Sequence, residues 1–406
     1  MPHAASVRRA LIRTYSPTTN ANYGGILQAW ALQQALEELG VEAWTDTTYA
    51  DRPRLANFRK AARSVQIWLS RLMPTWALSR SQIGGRLLKH DLDRSIVRFS
   101  ASNMRLVRLY RSGRNVDKKL LGRFDAFIAG SDQIWRPDYT DVPSFLLDFV
   151  PQAFEGPRVA YAASFGKPNS TLFNENFVTE TRQSARRLTS SSVREASAVA
   201  IAREIWGIEP EWMPDPTLLI RASRYRLLAG SGRNAPSVPV TYILDRQPTD
   251  AAWRSRLVGS LGQIKDLLPP KPADLAEFRA NRESFRKPSI EAWLGALDQA
   301  SMVVTDSFHG CVFSILFNRP FVVLPNEERG TDRMRSLLEL TGLEERLVPD
   351  REWAPTEADL SSLLSVDWAR VNGVLANERE RGLVFLANSL GLRGHPREPS
   401  PQVTDA

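Results

Sequence analysis

The stretch ALIRTYSPTTNANYGGILQAWALQQALEELGVEAWTDTTY, residues 10–49, decides the fold class. Ala10 to Ser16 is a short apolar and β-branched run that stops at the turn formers Pro17, Thr18, Thr19 and Asn20, so it reads as a strand followed by a loop. Ile26, Leu27, Trp30, Ala31, Leu36 and Leu39 then recur near helical spacing, with Gly40 as a C-terminal stop, and predict an amphipathic helix. VEAWTDTTY follows as a second strand. A chain that opens strand, loop, helix, strand is building a parallel α/β sheet.

The alternation continues downstream. FDAFIAGSDQIW and RVAYAASFG each set an apolar strand before a small-residue loop, and RLTSSSVRE and EWMPDPTLLI repeat the pattern. Arg221 to Ser237 is polar, with Gly and Pro near its end, and predicts a hinge before VPVTYILD restarts the alternation. IKDLLP, an EAWLGALDQA helix, the strand MVVTD, a helix over GCVFSILFN and the strand PFVVLP complete a second unit. The expected architecture is two Rossmann-like α/β domains, 1–225 and 238–375, holding ligands between them at the C-terminal ends of their strands. Residues 376–406 are expected to form a helix and a frayed, Pro-rich tail.

Composition narrows the class. The 406 residues are 43% hydrophobic and 24% charged, which fits a folded globular protein and excludes a disordered or collagenous one. A single cysteine, Cys311, closes no internal disulfide and builds no Cys-rich zinc site, so an oxidising compartment is not needed and a cytoplasmic location is expected. No apolar run is long enough to span a bilayer, and Val7 to Tyr15 is too short and Arg-interrupted for a signal peptide. The net charge of +8 is concentrated: residues 51–123 hold 18 Lys and Arg against four acids. Within this helical insertion Trp68 and Trp76 sit among arginines, the composition of a helix at an anionic membrane surface. The same periodicity also suits a helical lid packed on its own domain. A nucleic-acid partner is not expected, because no recognised binding motif accompanies the charge.

Four strand ends carry small and polar residues: Asn22-Tyr23-Gly24-Gly25, Gly130-Ser131-Asp132-Gln133, Ser191 to Glu195, and Thr305 to Gly310. Glycines before a helix let backbone N–H groups approach an anion, although each loop alone also suits an ordinary turn. Walker A, GxGxxG, HExxH, paired CxxC and GxSxG are all absent, so the usual support for ATP, NAD, a held metal or a serine hydrolase is missing. His309 opens a helix after a strand, with Arg329, Arg333 and Arg335 after the next strand to converge with it on an anion; a buried, satisfied histidine is the plainer reading. Asp132 and Asp215 end apparent strands, where each suits a base or a cap.

NYGGILQAWALQQAL, GSDQIW, SVRE, DPTLL and TDSFHG, in that order, resemble the polysaccharide pyruvyl transferase family. The resemblance implies a GT-B-like pair of domains and transfer of a pyruvyl group from phosphoenolpyruvate to a sugar of a cell-surface polysaccharide or its lipid-linked precursor, usually as a ketal. It implies Arg194, His309 and Ser307 as donor-binding residues on the cleft, and no cofactor beyond the donor substrate itself. Where some members carry Arg-Leu-His, this chain has Ser307-Phe308-His309, so Arg329 or Arg333 is expected to replace an arginine. The acceptor is expected on the first domain, against Asn22, Tyr23, Gly24, Gly25, Ser131, Asp132 and Gln133. His309 is expected to bind donor and move a proton, and Asp132 to orient or deprotonate the acceptor hydroxyl. The alternatives are a GT-B glycosyltransferase using a nucleotide sugar and a non-catalytic membrane or polyanion adaptor.

Overall fold

The computed structural model describes residues 7–18, 22–48, 93–112, 115–166, 173–230, 237–270, 272, 275–326, 328–353 and 355–392. Two parallel sheets organise it. The first has the order β3-β2-β1-β6-β7-β8-β9, built from β1 (Arg9–Arg13), β2 (Glu42–Asp46), β3 (Leu106–Val107), β6 (Ala126–Asp132), β7 (Arg158–Ala163), β8 (Ser190–Val193) and β9 (Glu211–Trp212). A small antiparallel pair, β4 (Tyr110–Ser112) and β5 (Asn115–Val116), lies outside it. The second sheet has the order β11-β10-β12-β13, from β10 (Val240–Tyr242), β11 (Lys265–Asp266), β12 (Val303–Thr305) and β13 (Phe321–Val323). Every strand of β6 and β7 is buried along its length, as expected of central parallel strands covered on both faces.

In each sheet the strand order reverses once, between β1 and β6 and between β10 and β12. Such reversal points open a crevice beyond the carboxyl ends of the strands. The register aligns those ends: Ile12 lies beside Ile128, Asp132 beside Ala163, and Thr305 beside both Tyr242 and Val323.

The helix α1 (Tyr23–Glu38) departs from the amphipathic reading: nearly every residue from Tyr23 to Leu36 is buried, including Gln28 and Gln33. Its second face is covered by the other domain. Tyr23 stacks on Trp293 at 5.0 Å between ring centroids, and its hydroxyl donates to Pro288 O at 2.7 Å. The helices that follow include α2 (Arg94–Asn103), α3 (Glu175–Ala185), α4 (Ser197–Trp206), α5 (Ala222–Ala229), α6 (Asp250–Leu261), α7 (Ile290–Asp298), α8 (Phe308–Leu316), α9 (Asp332–Thr341) and α10 (Trp368–Ser389). The polar run expected as a hinge begins as α5, whose buried Tyr225 is wedged between Trp30 (5.5 Å) and Phe313 (4.9 Å). One apolar cluster therefore continues from Ile12 and Trp30 through Tyr225 to Trp293 and Phe313. The C-terminal helix starts at Trp368, ahead of the expected 376, and returns to the first domain, where Arg381 donates to Trp212 O at 2.7 Å and Arg379 to Leu219 O at 2.9 Å. Trp68, Trp76 and most of the basic insertion lie outside the described residues. No described helix is long and apolar enough to cross a membrane.

Candidate active site

The loops after β6 and β8, the segment after β9 and the start of α8 meet at the carboxyl ends of the first sheet. Asp132 closes β6 with φ of +75°, a left-handed conformation that costs a non-glycine residue energy and is held here by its carbonyl accepting from Ile134 N (2.7 Å) and Ser164 N (2.9 Å). Its carboxylate is thereby aimed at arginines. Arg194, immediately after β8, forks between two carboxylates: Nη1 donates to Asp215 Oδ2 at 2.6 Å and Nη2 to Asp132 Oδ1 at 3.0 Å. Arg333 from α9 brings Nη1 to 3.6 Å from the same Asp132 oxygen and donates from Nη2 to Arg329 O at 2.8 Å. His309 Nε2 stands 3.8 Å from Asp215 Oδ2, which is ion-pair range. All five side chains are buried.

Phe308 is the plate beneath this cluster. The Arg194 guanidinium lies 4.5 Å and that of Arg333 5.6 Å from its ring centroid, so the electron-rich ring face takes the place of water against both cations. His309 is seated on Gly24: a Cβ at that position would fall 1.9 Å from the imidazole Nδ1. This explains a glycine in the first turn of a helix, and it ties the NYGG and TDSFHG segments into one unit across the domains.

Burial opposes charge throughout the cluster, and the neighbours decide the outcome. For Asp132, burial pushes the carboxyl up, but Arg194 and Arg333 more than reverse this and hold it below its ordinary value. Asp215 is likewise raised by burial and driven well below the carboxylate range by His309 and Arg194. Glu195 stays raised, because burial outweighs the two arginines. Arg333 is pulled down to about 10, first by burial and then by repulsion from Arg194, so it is the cation with the least counter-charge. Three nitrogens in this cluster, Arg194 Nε, Arg333 Nε and His309 Nε2, have no hydrogen-bond partner among the described residues, and neither does Glu195 Oε2. Buried guanidiniums with unpartnered N–H groups are the donor set that an anion with several oxygens requires.

The other expected site residues divide sharply. Asn22 caps α1 by accepting from Gly24 N at 3.2 Å; Tyr23 is committed to Trp293 and Pro288; Gly25 is buried within α1. Ser131 donates to Ala162 O inside the sheet. Gln133 accepts from Arg136 Nη1 at 2.8 Å and donates to Arg329 O at 3.4 Å. Ser307 caps α8 by accepting from Gly310 N at 3.4 Å. Of the two arginines expected to fill the Ser307 gap, Arg333 joins the cluster, whereas Arg329 pairs with Asp245 through Nε and Nη2. Arg335 is exposed. Asp215, read from sequence as a base or a cap, joins the cluster and also accepts from Thr217 N and Oγ1 as a local cap, while Glu195, the last residue of the SVRE loop, has no role of its own in the sequence reading. Among the described residues no group of three or more His, Cys, Asp or Glu is placed to hold a metal ion.

A family model described as polysaccharide pyruvyl transferase matches residues 22–328. No curated protein matches the sequence. Among solved structures, the chain is similar to Arabidopsis thaliana UGT89C1 complexed with UDP-L-rhamnose, with a TM-score of 0.50, 12% identity, and 96% of this chain and 100% of that one covered. It is also similar to the S. aureus MnaA co-structure with UDP, with a TM-score of 0.46, 11% identity, and 95% and 97% coverage. The UGT89C1 likeness concerns the fold alone and, with the two parallel sheets, agrees with two Rossmann-like domains facing across a cleft, GT-B-like as the sequence implied.

Proposed function

Since the chain belongs to the polysaccharide pyruvyl transferase family, we propose that it transfers the enolpyruvyl-derived group of phosphoenolpyruvate to two hydroxyls of a saccharide, forming a pyruvate ketal and releasing phosphate. The observation that carries this reading is the pair of buried guanidiniums, Arg194 and Arg333, facing His309 with three nitrogens unpartnered. Phosphoenolpyruvate bears a phosphate and a carboxylate, and multiple cations in a dry site bind it and then stabilise the departing phosphate.

The steps follow from the inventory. His309, entering the step in its protonated form, gives that proton to the methylene carbon of the enol as the first sugar hydroxyl forms a bond to C2. The proton of that hydroxyl passes to the now neutral imidazole. The second hydroxyl then attacks C2, the C–O bond to phosphate breaks with its electron pair leaving on phosphate, and the displaced proton departs with it. Asp132, held ionised by two arginines, is a weak base and is better suited to orienting Arg194 and Arg333 than to deprotonating sugar. Arg333 acts as the arginine absent from the Ser307 position. No step needs a metal, so turnover is expected to persist in EDTA.

The test is phosphate release from phosphoenolpyruvate with a panel of free and lipid-linked saccharides. His309→Ala and His309→Gln are expected to lower turnover by ~100-fold or more, since neither side chain shuttles a proton at neutral pH. Full turnover in His309→Gln would remove the proton-transfer role.

A further inference from the structure

The residues expected to hold the acceptor are largely spent on the fold, and a different surface is available. At the carboxyl ends of β10, β12 and β13 the second domain opens a cavity of about 1050 Å³, in the size range of small-molecule sites. We infer that this cavity binds the acceptor saccharide, which places acceptor recognition on the second domain rather than on the NYGG and GSDQ loops. The inference rests on the pyruvyl-transfer reading and specifies where its second substrate sits.

The lining argues for a neutral polyol. Asp245, Glu328, Asp350 and Glu352 face it against only Arg246 and Arg351. Arg351 is occupied, donating to Asp250 at 2.9 to 3.0 Å and to Asp306 at 3.3 Å, and Arg246, exposed at the rim, donates to Leu268 O at 2.8 Å and stands 3.7 Å from Asp266. A nucleoside diphosphate would meet the carboxylates of Glu328, Asp350 and Glu352 with only the rim residue Arg246 to offset them, whereas sugar hydroxyls donate readily to carboxylates. Pro269, Pro270, Pro325 and Pro349 supply rigid apolar walls, which suit the C–H faces of a pyranose and lose little entropy on binding. The cavity adjoins the proposed reaction centre through one residue. Arg329 pairs with Asp245 of the cavity by its side chain, and its carbonyl accepts from Arg333 and Gln133 on the other side. Asn326 completes this wall by donating to Asp245 at 2.9 Å and Asp306 at 3.1 Å. The cavity wall at Asp245 is thus one arginine away from the donor cluster.

Saturation-transfer NMR with methyl glycosides of galactose, glucose, mannose and N-acetylglucosamine, alongside calorimetric titration of phosphoenolpyruvate, tests this on the wild type and two variants. Gln247→Trp fills the cavity from an exposed lining position, and the double variant Glu328→Gln with Glu352→Gln removes acceptor charge with little change of shape. The expected result is transfer to at least one glycoside, weakened about tenfold or more in both variants, with phosphoenolpyruvate affinity within roughly twofold of wild type. Glycoside binding that both variants preserve would overturn the assignment. So would absence of any glycoside signal, or displacement of the glycoside by UDP but not by other saccharides. Failure of the wild type to bind phosphoenolpyruvate would instead contradict the pyruvyl-transfer reading, whatever the glycosides do.

Discussion

Gly24 and His309 work as a single part, because the imidazole occupies the space a side chain on residue 24 would need. Gly24→Ala is therefore expected to displace His309 and cut turnover strongly while raising local helix propensity by up to ~1 kcal/mol, so the melting temperature should fall less than the activity. Turnover retained alongside an unchanged melting temperature would contradict the packing described. Glu195 allows a pH test. Its folded-state value is raised, so the folded protein holds the proton more tightly than the unfolded chain, and stability is lost as pH rises past the ordinary glutamate value of ~4.3. Glu195→Gln should melt with wild type below that pH and above it at neutral pH, as thermal scans across pH 3.5 to 7.5 would report; a gap that opens toward acid would refute it. At this scale His309, Arg194 and Asp132 were legible because chemically distinctive residues stood at strand ends. Tyr23 and Ser131 were not, because their partners, Trp293, Pro288 and Ala162, are distant in sequence and only folding brings them near.

At the scale of elements, α1 shows where periodicity misleads. Its apolar positions predicted one buried face, but the second domain covers the other, and buried Gln33 donates to Thr45 Oγ1 and Arg105 O at 3.2 and 3.0 Å rather than to solvent, while Gln28 is buried with no hydrogen-bond partner among the described residues. Ten strands of the two parallel sheets were read in type and order from runs bounded by turn formers, whereas β3, β4 and β5 were missed: they are two or three residues long and lie within the stretch 51–123 expected as a helical insertion, an expectation corrected there. The helix within the run expected as a hinge was not read from sequence for a physical reason: α5 is polar on its surface and contributes a single buried aromatic, Tyr225, too little to register as a helical stripe. The start of α1 is what fastens the two sheets together, so Tyr23→Ala should destabilise the whole chain by about 3 kcal/mol or more, against about 1 kcal/mol for Tyr23→Phe, which loses only the hydroxyl bond to Pro288. Denaturant melts of the two variants measure both, and equal losses would show that stacking on Trp293 contributes little.

Across the whole molecule, two sheets present their reversal points to a shared space, and α10 returns from the second domain to brace the first through Arg379 and Arg381. This architecture gathers an aspartate from β6, an arginine from the end of β8, a histidine from α8 and an arginine from α9 into one buried cluster. Sequence could rank these residues singly, but not choose Arg333 over Arg329, since both follow the same strand and only the turn between them decides which faces inward. On the proposed reading, the cluster of Arg194, Arg333 and His309 receives phosphoenolpyruvate. Calorimetric titration of phosphoenolpyruvate into wild type and Arg333→Met tests it most directly, with folding of both followed by thermal melting. The account predicts saturable binding to wild type and a dissociation constant weaker by about 10- to 150-fold in the variant, the equivalent of one lost charge-assisted contact of roughly 1.5 to 3 kcal/mol. Equal affinity in the two folded proteins would contradict it.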